Sequence, residues 1–221
     1  MKITWLGHAA FLLTASDGLQ ILLDPYRAPD AGTYAAIDVP ADIVVVSHLN
    51  PKYHSHWEAA SGNPVRLNGL DFARNANGAD AHGIKFHAVQ VWESPERQVP
   101  VSMPYFKRDG LTVCHSGDLG HGLTAEESAP LAGIDIFLAV AGGPPTVALA
   151  DMKALIDRIG PKIVIPMHYQ NGKINLPLQP IDDFLALFEP SQIVRCDLPT
   201  LTVHANSLPE KTQIVVLPSA C

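Results

Sequence analysis

Short apolar runs that end in polar residues dominate the chain. Lys2–Leu6, Phe11–Ala15 and Leu19–Leu23 read as strands, the last two separated by Ser16-Asp17-Gly18, an Asp-Gly hairpin signal. Ile43–Val46 is an unbroken β-branched run, the pattern of a strand covered on both faces, and it ends at Ser47-His48. Val65–Asn68, Ile84–Trp92, Val101–Phe106, Leu111–Cys114, Ile134–Val140, Ile163–Pro166, Ile193–Cys196, Leu201–His204 and Thr212–Leu217 continue the series. Helical patterns are fewer. Thr124-Ala-Glu-Glu127 is a capping box opening a segment that ends near Leu131. Ala148–Ile159 places Leu149, Met152, Leu155, Ile156 and Ile159 on one face and stops at Gly160-Pro161. Ile181–Phe188 reads as a shorter helix. Many strands early, then alternation of strand and helix, predict an α/β fold of two sheets with helices outside, in one domain spanning residues 1–221.

Composition narrows the function. Of 221 residues, 47% are hydrophobic and 17% charged, which excludes general disorder. Fifteen Lys and Arg against 22 Asp and Glu leave a net charge of −7, with no basic run to hold nucleic acid or an anionic membrane. Three scattered cysteines do not make a disulfide framework, so the expected setting is a reducing, cytoplasmic one. No apolar window is long enough to cross a bilayer as a helix, and His8 interrupts the N-terminal apolar stretch.

The ten histidines change the picture, because they are not evenly spread. His48, His54 and His56 follow the strand at Ile43–Val46; His115, Asp118 and His121 follow Leu111–Cys114; His168 follows Ile163–Pro166; and Glu93 follows Ile84–Trp92. Loops leaving one rim of a sheet converge, so side chains distant in sequence can meet there. Imidazole nitrogen with carboxylate oxygen suits Zn²⁺, Mn²⁺ or Fe²⁺. Taken singly, each residue also has a plain structural reading: Asp118 as a turn former, His48 and His168 as hydrogen-bonded histidines at strand ends. His8 reads as a structural residue near the rim, His82, His87 and His204 as structural or surface residues, and His115 and His121 as groups that orient ligands.

Lys2-Ile-Thr-Trp-Leu-Gly-His8, Ile21-Leu-Leu-Asp-Pro25, Asp42-Ile-Val-Val-Val-Ser-His48, Cys114-His-Ser-Gly-Asp-Leu-Gly-His121 and Ile165-Pro-Met-His-Tyr169, in this order and spacing, resemble the metallo-β-lactamase superfamily. The likeness points to its compact branch of metal-dependent hydrolases related to L-ascorbate-6-phosphate lactonase. It implies a four-layer αβ/βα sandwich with a metal site along one edge. The family signature, His-x-His-x-Asp-His followed by a His, a Gly-Asp and a late His, is partly dismantled here. Matched without gaps, His48, Asp118 and His168 keep their places, while Asn50, Lys52 and Tyr53 replace the second His, the Asp and the third His, and Glu93 falls near the next His. A lysine beside a dication disfavours binding, so the usual two-ion site is not expected.

His54, His56 and Glu93 are then the replacement donors. The expected metal ligands are His48, His54, His56, Glu93, Asp118 and His168 around one ion, with Asp118 and His54 as the catalytic pair. Lys52 and Tyr53 are expected to contact substrate. By resemblance the chain is a hydrolase of a small ester, lactone, amide or phosphate ester. The competing reading is a non-catalytic protein of the same fold that binds a small molecule or partner without metal. Oligomeric state stays open.

Overall fold

The computed structural model describes residues 1–221. Its N-terminal strands are β1 (Lys2–Gly7), β2 (Ala10–Thr14), β3 (Gln20–Leu23), β4 (Val39–Pro40), β5 (Ile43–Val46), β6 (Ala60–Ser61) and β7 (Val65–Asn68). A short helix, α1 (Gly69–Ala73), follows; Asn68 caps it by accepting from the Leu70 N–H. Next come β8 (Ala79–Ala81), β9 (Ile84–Trp92), β10 (Pro100–Arg108), β11 (Leu111–His115), α2 (Ala125–Ser128), β12 (Ile136–Val140), α3 (Leu149–Ile159) and β13 (Ile163–Met167). The chain closes with α4 (Ile181–Leu185), β14 (Ile193–Arg195), β15 (Thr200–Thr202) and β16 (Gln213–Val216).

These strands form an α/β sandwich of two large mixed sheets. One has the order β15-β1-β2-β3-β5-β7, the other β14-β16-β13-β12-β11-β10-β9-β8. Their facing sides share one core, in which Ile3, Phe11, Ile21 and Ile43 meet Phe86, Val113, Leu138 and Ile165. α3 lays Met152, Leu155, Ile156 and Ile159 onto that core, and Gly160 in the left-handed region ends it, as the Gly-Pro stop predicts. The capping box at Thr124 is present in full, with both reciprocal hydrogen bonds. The expected helix at Ile181–Phe188 stops at Leu185. α1 and the two-residue strands β4 and β6 carry too few residues for periodicity to reveal them. No helix is long and apolar enough to cross a membrane.

The parallel pairs β3/β5 and β11/β12/β13 all deliver their C-terminal ends to one edge. Hydrogen bonds tie the two sheets together there. Ser102 Oγ donates to the Ser47 carbonyl at 2.6 Å, His115 Nε2 donates to the Ala9 carbonyl at 2.8 Å, and the His168 N–H donates to the His8 carbonyl at 3.1 Å. The β9 end is locked to the loop after β11 because Gly120 packs directly on the Glu93 backbone: a Cβ there would lie 1.7 Å from the Glu93 carbonyl oxygen. Gly120→Ala is therefore expected to destabilise the fold by about 1–3 kcal/mol, read as a lower urea midpoint with unchanged slope, whereas Gly83→Ala at an open left-handed turn is expected to cost less.

Candidate metal centre

The site is organised around Asp24, the residue that follows β3. It is buried in a left-handed conformation (φ 41°) and accepts from the Ser47 N–H and the Ser47 hydroxyl, each at 2.6 Å. His54 Nδ1 donates to the same carboxylate at 2.9 Å, and His54 Nε2 donates to Asp118 Oδ2 at 2.8 Å. One buried imidazole is thus held between two buried carboxylates.

The local sequence explains why His54 points inward. The Asn50 carbonyl accepts three backbone N–H groups, from Tyr53, His54 and Ser55, and the Asn50 N–H donates to the Ser55 hydroxyl oxygen at 2.9 Å. 

This tight turn carries one residue more than an ungapped match to the family signature allows. It therefore brings His54, not Tyr53, beside His48, with ring centroids 4.6 Å apart.

His48 lies two residues beyond the end of β5, after Ser47. The Ser47 hydroxyl spends its proton on Asp24, so His48 Nδ1 donates to Ser47 Oγ at 3.0 Å and its buried Nε2 is left as a bare acceptor. Asp118 comes from the loop after β11. Gly117, at φ 55°, allows that loop to pass under Ser102, whose carbonyl oxygen would lie 2.5 Å from a Cβ. His168 follows β13 in a left-handed conformation (φ 53°), with Nε2 at 3.9 Å from Asp118 Oδ1. His115 accepts from the Gly117 N–H and donates to the Ala9 carbonyl, so it holds the backbone on both sides of the edge. His121 donates to the Gly122 carbonyl, and its Nε2 has no partner.

A cavity of about 140 Å³ opens onto these groups, lined by His8, Asn50, Tyr53, His54, Glu93, Asp118, His168 and the loop residues Pro145, Thr146 and Leu176. Of the six expected ligands, His48, His54, Asp118 and His168 converge. Donor atoms of His48, His54 and Asp118 lie within 4.8 Å of one another, as do those of His8, His54 and His168. Glu93 lines the cavity but belongs to neither group. His56 does not join: its ring faces Glu58, with Nδ1 3.3 Å from Oε2, because the same turn that points His54 inward sends the residue two positions on outward. Tyr53 lines the cavity, whereas Lys52 is exposed and does not reach it.

His8 and Asp24 are the site residues that sequence reasoning passed over. His8 lies in the turn between β1 and β2, and its ring enters the cavity wall. Asp24 had a readable signal, a carboxylate ending an apolar strand just before Pro25.

The electrostatics follow from the geometry. Burial opposes a charge on His54, but Asp118 and Asp24 outweigh it and push the imidazole up to about 10. Burial likewise opposes the Asp118 charge, yet His54, His168 and His48 hold its carboxyl well below the usual range. Burial lowers His48 and His168, which therefore stay neutral with lone pairs to offer. Burial and the nearby Asp118 raise the Glu93 carboxyl. Buried polar atoms rarely lack partners, but His48 Nε2, Asp118 Oδ1 and His168 Nδ1 all do. Nitrogen and carboxylate donors left bare at this one edge, in and beside the cavity, fit a divalent metal ion.

A two-sheet αβ/βα sandwich with a histidine–aspartate centre on one edge defines the class as metallo-β-lactamase-like. Residues 2–168 match the Beta-lactamase superfamily domain, and the chain belongs to that family. Among its relatives is a UPF0173 metal-dependent hydrolase of Pelotomaculum thermopropionicum, 29% identical over 194 residues that make up 76% of this chain and 84% of the relative. Another, from Archaeoglobus fulgidus, carries the same description and is 27% identical over 198 residues, 76% of this chain and 83% of the relative. A crystal structure from Thermotoga maritima, described as a candidate Zn-dependent hydrolase of the metallo-beta-lactamase superfamily, superposes with a TM-score of 0.76 at 31% identity, covering 98% of this chain and 97% of that one.

A metal taking His54 Nε2 must displace its proton. With that imidazole raised to about 10, its neutral fraction grows as pH rises toward that value, so metal affinity is expected to rise by about tenfold per pH unit through the neutral range. Metal titrations at several pH values, with proton release followed in weak buffer, check this. In the metal-free protein the sign for stability is opposite. The raised His54 contributes most below its ordinary value of 6.5, and that contribution is lost as pH rises through about 10.

Proposed function

We propose that the chain is a hydrolase that depends on one divalent metal ion and acts on a small, uncharged ester, lactone or amide. The observation that carries this reading is the set of bare, buried donors around the cavity. His48, His54, Asp118 and His168 would hold the ion. When bound, it supplies Lewis acidity, polarising the electrophilic centre and making water more acidic.

A single ion is supported by His54. Its Nδ1 is committed to Asp24, leaving one nitrogen, and both donor groups need that nitrogen. Asp24 thus acts as the orienting carboxylate that fixes tautomer and ring plane. Glu93, with its carboxyl raised, holds a proton to higher pH and can pass it to a departing alkoxide or amine. Tyr53 presents a phenol at the wall, stacked on His8 at 5.5 Å. Pro145 and Leu176 supply the apolar part of the lining. The small volume supports a small substrate. The lining includes the carboxyl groups of Glu93 and Asp118 and neither Lys nor Arg, which favours an uncharged substrate over a phosphate ester.

Reconstitution of metal-free protein with Zn²⁺ or Mn²⁺, followed by elemental analysis, is expected to give one ion per chain. Asp118→Ala is expected to lose both ion and turnover. Failure to take up any ion would leave a metal-free binding protein as the better reading. On matched chromogenic substrates, p-nitrophenyl acetate is expected to be hydrolysed with a higher kcat/KM than p-nitrophenyl phosphate; the reverse order would remove the preference for an uncharged substrate.

A further inference from the structure

His8 is fully buried, yet neither of its ring nitrogens has a hydrogen-bond partner. A phenylalanine would fill the same space without desolvating two polar atoms, so packing alone does not account for an imidazole there. The backbone is equally particular. At φ 50°, His8 occupies a left-handed turn that bulky residues seldom adopt, just after an irregularity in the β1/β2 pairing between Trp5 and Gly7. The turn is held by the His8 carbonyl, which accepts from Trp5 Nε1 at 3.1 Å and from the His168 N–H at 3.1 Å.

The ring is also oriented toward the centre. It meets His168 edge-on with centroids 4.5 Å apart and His54 at 5.2 Å, while Tyr53 stacks on it at an interplanar angle of 15°. One His8 nitrogen lies within 4.8 Å of donor atoms on both His54 and His168. Asn50, which stands at the second signature histidine in the ungapped match, is a weaker donor than imidazole.

We propose that His8 is a ligand of the metal ion and forms, with His54 and His168, a three-histidine face that replaces the imidazole lost at Asn50. This rests on the metal-dependent reading above and assigns it a donor from a different strand connection. Three imidazoles suit Zn²⁺, Co²⁺ or Fe²⁺ better than Mg²⁺ or Ca²⁺, which take oxygen ligands.

Co²⁺ titration of the metal-free protein tests the proposal without any activity assay. The wild type is expected to bind one Co²⁺ with visible absorption bands of a nitrogen-rich site. His8→Gln, which keeps side-chain bulk, and His8→Ala are each expected to weaken binding by roughly 100-fold or more, above the 10–100-fold typical of losing an outer-shell partner, and to change those bands. Circular dichroism of the metal-free variants checks that they fold; if His8→Ala fails to, His8→Gln decides. Unchanged affinity and spectrum in a folded variant would overturn the assignment of His8 while leaving metal dependence intact. A wild type that binds no Co²⁺ or Zn²⁺ would overturn both.

Discussion

A buried imidazole clamped between two buried carboxylates is the constraint on which the rest of the site depends. Asp24, His54 and Asp118 come from the end of one sheet's strand, from a loop, and from the end of the other sheet's strand. Their charges stabilise one another only while all three are in place. Removing one would strand the others in a medium that penalises unpaired charge. The two sheets must therefore meet at this edge in one register, and the cross-sheet bonds from Ser102, His115 and His168 fix that register.

The same edge concentrates backbone strain. His8, Asp24 and His168 are three of the six non-glycine residues with positive φ; the His8 and His168 rings meet at 4.5 Å, and Asp24 binds His54 beside them. Strained conformations of this kind persist where surrounding structure over-determines them, as at functional sites. Here the surroundings are apolar strands whose burial stabilises the sandwich and can offset the local cost. The same surroundings hold ring nitrogens of His48 and His168 without partners at this edge.

Part of this was legible from the chain alone. Buried β-branched runs located the strands, and a polar residue just beyond each run marked the rim; His48, Asp118 and His168 all follow that rule. His54 was recognisable only as a nearby spare histidine. Whether it or Tyr53 meets His48 depends on how the Asn50 carbonyl gathers three N–H groups, and motif spacing carries no information on that winding. His56 illustrates the converse. Two residues from His54 and identical in chemistry, it pairs with Glu58 away from the cavity. Lys52 and Tyr53, adjacent in sequence, divide the same way, one exposed and one in the wall.

His8 marks the boundary most clearly. Within its own segment it reads only as a polar residue in a tight turn. Its environment comes from residues far along the chain, namely His54, Tyr53 and His168. The sequence by itself determined most strands and the rim residues, because periodicity and burial act over a few neighbouring positions, and its family resemblance implied the αβ/βα class. Only the tertiary structure decided which histidines share a cavity and which nitrogens are left without partners, because those depend on two sheets closing against each other.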